Sequence, residues 1–233
     1  MDWTAILLTL KLAIVVCIIL MGIALPIAYW LAFSRWKWKF LVESVVALPL
    51  VLPPTVLGFY VLMALGTRSP IGRLWVEWTG HPLAFTFEGL VIASILYSLP
   101  FAVQPLASSF SQVDHNLLDA AATLGADRLR TFTRVVLPLS RHGAMAAAVL
   151  SFAHTVGEFG VVLMVGGNLP GVTRTVSISI YDDVQGLNFA AANQTALVLL
   201  VFSFAVLALV YSLIRRPWAV AAIPAAPAAP AAQ

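Results

Sequence analysis

Charge is scarce in this chain. Only 10% of its 233 residues are charged, against 61% hydrophobic, and the mean hydropathy is +0.96. A soluble domain carries about 25% charged residues, so this much apolar surface needs lipid as its main solvent. Cysteine is nearly absent. Cys17 stands alone, which excludes an intrachain disulfide and a cysteine-based metal site. Lysine is limited to Lys11, Lys37 and Lys39, and none follows G-x-x-x-x-G-K-[ST]. The chain therefore lacks a phosphate loop and does not hydrolyse ATP itself. The start, MDWTAILLTLKLAIVVC, has no basic leader region and no obvious small-residue cleavage site, so it is expected to stay as a first span.

Long apolar runs are present instead. Five are of the length that crosses a bilayer as helix, about 20 residues: roughly 6–33, 41–65, 89–110, 143–165 and 191–214. Backbone groups in lipid must be satisfied within their own segment, which makes these runs helices and the fold class all-α and integral to the membrane. Arginine and lysine orient them. Arg35, Lys37, Lys39, Arg128, Arg130, Arg134, Arg141, Arg215 and Arg216 fall on one side, against Arg68, Arg73 and Arg174 on the other. Nine against three puts the N-terminus outside and the C-terminus inside. The net charge of +3 thus reports topology and does not point to nucleic acid. Trp36, Trp38, Trp75, Trp78 and Trp218 mark interfaces, and the Pro/Ala tail, 216–233, is expected to be disordered.

One charged segment between spans three and four, 114–136, has the marks of two helices in water. Asp114 can cap the first, Leu117, Leu118, Ala121 and Leu124 give it an apolar face, and Gly125 can end it in a left-handed turn. Asp127 sits at the start of the second, RLRTFTRVV, whose Leu129, Phe132 and Val136 share a side. Three roles fit the residues: a helix lying on lipid, a structural elbow, or a docking helix for a cytoplasmic partner. The small residues Ala120 to Ala122 and the glycine corner fit docking best.

Ionisable and irregular residues inside spans are candidates for function. Pro49, Pro53 and Pro54 interrupt span two, either as a fixed kink or as a hinge or pathway wall. His154 and Glu158 lie four apart in span four. Two ligands without H-E-x-x-H make no metal site. Glu158 is expected to accept from backbone amides or Lys11, or to stay protonated, with a gating role as the alternative. Gly157 and Gly160 beside it would let a neighbouring helix approach. Thr155, Asn168, Thr173, Arg174, Thr175 and Ser177 are the hydrogen-bond donors of this half. Arg68 and Arg73 suit either a partner or lipid headgroups, and Asp182 and Asp183 read as a solvated turn.

Asp119-Ala120-Ala121, three residues, Gly125, nine residues, then Val135-Val136-Leu137-Pro138 resembles the signature of bacterial ABC-importer permeases, with Asp for Glu and Val for Ile. LPLVLPPTVLGFY (48–60) and FAHTVGEFGVVLMVGGNLPGVTRTVSISIYD (152–182) narrow the likeness to the molybdate branch, and it runs over residues 5–215. The Gly-Glu-Phe-Gly core is shared with sulfate and thiosulfate permeases. The resemblance implies a type I importer permease that acts as a homodimer, with two ATP-binding subunits inside and a periplasmic molybdate-binding protein outside. It implies that Asp119, Ala120, Ala121, Gly125, Leu137 and Pro138 couple to the ATPase, whose partner chain holds ATP and magnesium, while this chain carries no cofactor, metal or catalytic residue. For such a cargo, a dianion, Pro49, Pro53, Pro54, Thr155, Gly157, Glu158, Gly160 and Arg174 are the pathway or gate candidates. Arg174 suits an oxyanion or an interfacial contact equally. The alternatives are a sulfate, thiosulfate or tungstate permease of the same fold, an ion-gradient transporter or channel, and an intramembrane enzyme built on His154 and Glu158. The location implied is the bacterial cytoplasmic membrane.

Overall fold

The computed structural model describes residues 2–214, which form helices and turns with no strand among them. The expectations for the tail, Arg215, Arg216 and Trp218 lie outside the described residues.

Helix α1, Trp3–Phe33, starts at Asp2, whose carboxylate accepts from the Ala5 amide at 3.0 Å. Leu12, Val16, Leu20, Ala24 and Ala28 recur every four residues and are all buried. That ridge packs along α5, Phe87–Ser111, in the most extensive helix contact of the fold. The two run parallel. Leu12 and Val16 share a cluster with Leu90 and Val91, while Leu20 to Leu31 meet Ala102, Leu106 and Phe110. The opposite face of α1, with Leu7, Ile14 and Ile18, is exposed, as a lipid-facing surface should be.

Parallel neighbours require a return path. Helices α2, Lys39–Val51, and α3, Pro54–Leu65, supply it. Val46 packs with Val103 and Leu106 of α5, and Val61 and Leu65 pack with Ala93 nearer its start. The sequence predicts one helix over 41–65, but two form, bent by 112°. Pro53 and Pro54 donate no amide, and each forces an extended residue before it: Leu52 has ψ 135° and Pro53 has ψ 135°. Helix α4, Pro70–Thr79, follows, capped by Ser69.

Past α5 come α6, His115–Thr123, then α7, Arg128–Thr131, which runs through a π turn at Phe132–Val136 into α8, Leu137–Leu139. Helices α9, Arg141–Gly157, and α10, Gly160–Gly166, return antiparallel to α5. Gly143 lies against Ser109, Thr155 against Ser98, and Gly166 against Leu90. The expected continuous span 143–165 is therefore broken at Glu158 and Phe159. No proline acts there. Flanking glycines weaken the helix, and Gly160 is seated on Pro54. Helices α11, Val176–Gln185, and α12, Phe189–Ile214, complete the described chain. Helices α4 and α11 have no counterpart in the apolar runs, since both are short and polar on one side. Among the described residues three helices, α1, α5 and α12, are long and apolar enough to cross a membrane, and up to five crossings result if each bent pair counts as one.

Candidate functional site

The contact between α5 and α9 carries a polar layer inside an apolar bundle. Ser98 Oγ lies 2.9 Å from His154 Nδ1 and 3.1 Å from Thr155 Oγ1. Thr155 donates its proton to the Ser151 carbonyl at 3.0 Å, and Ser151 donates to the Ala147 carbonyl at 2.7 Å. Ser98 thus links the His154 ring and the Thr155 hydroxyl in one chain of hydrogen bonds. The imidazole stacks on Phe101, centroids 3.9 Å apart, and meets Tyr97 at 4.7 Å. Thr155 is thus buried and fully engaged, and it offers no free donor to a passing solute.

Glu158 differs. It is only 3% exposed, yet neither carboxyl oxygen has a hydrogen-bond partner. The expected bonds from backbone amides or Lys11 do not form. Lys11 is on the exposed side of α1, its ammonium 4.6 Å from the centre of the Phe87 ring. The one side chain placed to donate to the carboxyl is Ser94, likewise buried, and the pair falls short of full hydrogen-bond geometry. Leaving such a group unpaired costs about 1–3 kcal/mol. Serines four apart in an apolar span, Ser94 and Ser98, are the sequence signal for this layer.

The two breaks meet. A side chain on Gly160 would come within 2.8 Å of Pro54 Cβ, and one on Gly58 within 2.7 Å of Met164 Cβ. Absence of side chains at these positions lets α3 and α10 pack closely, as expected for Gly160. Gly157 has nothing within 4 Å and brings no helix near. Pro49 is buried, Pro54 half-buried and Pro53 exposed.

In the loop after α10, Arg174 is already paired. Its Nε donates to Asn168 Oδ1 at 2.6 Å, its guanidinium lies 3.2 Å from Asp182, and Asn168 Nδ2 donates to Asp182 at 3.0 Å. This closed ring ties the loop after α10 to α11; Asp182 and Asp183 lie within α11 and not in the expected turn, and Asp182 acts as a clip. Thr173 donates to the Gly166 carbonyl, and Thr175 is buried without a partner.

At the far end of α5 the charged segment is capped and turned as its residues suggest, but its two expected apolar faces divide: Leu118, Phe132 and Val136 pack on the bundle, while Leu117, Leu124 and Leu129 are exposed. Asp114 accepts from the Asn116 amide at 2.9 Å, and Asp127 from that of Arg130 at 2.7 Å. Gly125 has φ +77°. Its amide donates to the Ala122 carbonyl and the next amide, of Ala126, to Ala121, which closes α6 as a Schellman turn. Phe132 packs on Tyr29 and Phe110, and Val136 and Leu118 join the same core. Leu124 and Leu129 point away, 87% and 72% exposed, as do Asp119, Ala120 and Pro138, while Leu137 is half-buried. The corner therefore rests on α1 and α5 and presents a second, apolar side outward.

The family model described as "Binding-protein-dependent transport system inner membrane component" matches residues 24–218. The molybdenum transport system permease protein ModB of Azotobacter vinelandii is 51% identical over 211 residues, covering 91% of this chain and 93% of the relative. The protein of the same name in Escherichia coli K12 is 37% identical over 184 residues, 79% of this chain and 80% of the relative. Among solved structures, a bacterial alginate ABC transporter in complex with its periplasmic protein matches with TM-score 0.72 at 16% identity, over 91% of this chain and 78% of that one. The MetNI methionine ABC transporter in an inward-facing conformation matches with TM-score 0.64 at 18% identity, over 91% and 95%. These structures share the fold.

Proposed function

Because the chain belongs to the family of binding-protein-dependent transport system inner membrane components, the molybdenum transport permeases among its relatives, we propose that it is the permease subunit of an importer that moves molybdate into a bacterial cell. The observation that carries this reading is the 51% identity to the Azotobacter permease over 91% of the chain. The work is alternating access driven by ATP hydrolysis in a separate subunit. Two copies of this chain form the pathway. Two ATP-binding subunits dock inside, and a periplasmic molybdate-binding protein delivers cargo outside.

The geometry supports the division of labour. The chain passes along the bundle as α1, α2–α3, α5, α9–α10 and α12, which we take as five spans with the N-terminus outside. Residues 114–136 then lie in the cytoplasm, where the exposed Leu117, Leu124 and Leu129 suit a groove on the ATPase. The corner's other side is packed on α1 and α5 through Phe132 and Val136, so a push on it reaches the spans as a rigid displacement.

Reconstituting this chain with the ATPase and binding protein in proteoliposomes tests the proposal. Molybdate uptake is expected to need ATP and all three proteins, and competition by tungstate and sulfate ranks the related cargoes. Uptake that persists without the ATPase subunit would instead establish the gradient-driven reading.

A further inference from the structure

Helix α4 has three kinds of side. Ser69 caps it, accepting from the Gly72 amide at 2.8 Å, and the Gly80 amide closes it on the Val76 carbonyl at 2.8 Å. One side is packed on the protein. A side chain at Gly72 would meet the Gly66 carbonyl and come within 2.7 Å of that of Leu65, so α4 lies against the end of α3. Trp75 turns inward as well and joins Val61, Leu65, Leu83 and Val165. The second side is apolar and bare. Ile71, Leu74 and Trp78 recur at i, i+3 and i+7 and are 59%, 54% and 83% exposed. The third side is charged and exposed, with Arg73 and Glu77 four apart. Of the two tryptophans that the sequence assigns to an interface here, only Trp78 stands in the open.

A helix packed on a soluble protein keeps polar residues on its open surface. Helix α4 instead divides that surface between an apolar stripe and a charged one, the pattern of a helix at the boundary of lipid and water. Its position agrees. Helix α3 exposes Val56, Phe59 and Met63 almost to its last residue, so apolar surroundings reach the level at which α4 starts. Arg68 and Arg73 are exposed beside it and form no ion pair among the described residues, which suits lipid phosphates. Tryptophan is enriched at that depth because its ring is apolar and its N–H polar. A protein arriving through water would meet Arg73 and Glu77 first. A second copy would need about 800 Å² per partner for a stable contact, far more than three side chains offer.

We propose that α4 lies in the lipid headgroup layer and fixes the depth of the end of α3. Ile71, Leu74 and Trp78 dip among the acyl chains, Arg68 and Arg73 reach the phosphates, and Glu77 stays in water. The assignment holds for either orientation of the chain and does not rest on its cargo.

Nitroxide labels test it in the full chain with Cys17→Ser, in proteoliposomes of phosphatidylcholine and phosphatidylglycerol without a binding protein. A label on Leu74→Cys is expected to relax several-fold faster with oxygen, which concentrates among acyl chains, than with a water-soluble nickel chelate. A label on Glu77→Cys is expected to do the reverse. Nickel access at Leu74 puts the stripe in water and overturns the proposal. Shielding of Leu74 from both probes puts it under protein and overturns it too, as does shielding of Glu77 from nickel, which removes the boundary. A second measurement needs no label. Lipids brominated near the glycerol end are expected to quench the fluorescence of the wild-type chain more than that of Trp78→Phe. Equal quenching overturns the proposal, and this comparison decides if Leu74→Cys does not insert.

Discussion

Gly125 and Gly160 are both small residues at turning points, but for different reasons. Gly125 needs its left-handed φ of +77°, and a Cβ there would touch nothing within 4 Å. Replacement costs backbone energy alone, about 1–2 kcal/mol for an L-residue forced into that region. Gly125→Val should therefore leave membrane insertion intact, tilt α7 relative to α6, and uncouple ATP hydrolysis from uptake; the ratio of ATP hydrolysed to molybdate moved reads this, and an unchanged ratio counts against the docking role. Gly160 has no unusual φ, and its constraint is Pro54 at 2.8 Å. Gly160→Val should overpack the α3–α10 contact by about 1–3 kcal/mol, seen as a lower thermal stability of the solubilised complex, while Gly157→Val, facing open space, should not.

Helices α6 and α7 show how an element divides its apolar residues. Leu118, Phe132 and Val136 face the bundle, while Leu117, Leu124 and Leu129 face away. A helix that only lay against its own protein would have no use for the second set. Leu124→Asp is expected to reduce co-purification of the ATPase subunit about ten-fold, the size of a single interface hot spot, with no change in membrane yield; equal recovery would mean that this face meets lipid. The ring of Asn168, Arg174 and Asp182 poses the opposite question, because a cation suited to an anion is already neutralised by a carboxylate. As a partly exposed pair it contributes about 0.2–1 kcal/mol. If it is only a clip for the loop before α11, Arg174→Ala and Asp182→Ala should slow uptake alike. Loss confined to Arg174→Ala would give the guanidinium to the oxyanion.

A helical bundle with a charged corner at one end makes a topology that labelling can read. With Cys17 replaced by serine, a cysteine at Ser69 should react with a membrane-impermeant maleimide from outside, and one at Thr123 only after the membrane is opened; the reverse pattern would invert the orientation drawn from the arginines. Much of this arrangement is legible along the chain. Hydropathy marks where long apolar helices lie. Asp114, Gly125 and Asp127 announce the corner, because caps and left-handed turns are satisfied by groups a few residues away. Neither break was legible as such. Pro53 and Pro54 mark a disturbance but not a bend of 112°, and the glycines around Glu158 weaken the helix locally without specifying that α9 ends at Gly157. The orphaned state of Glu158, the pairing of His154 with Ser98 and the seat of Gly160 on Pro54 join residues far apart in the chain. Local propensity and solvent preference act along one dimension, so they could place helices and their caps. Which polar groups find partners, and which are left waiting for one, depends on how those helices lie against each other in three.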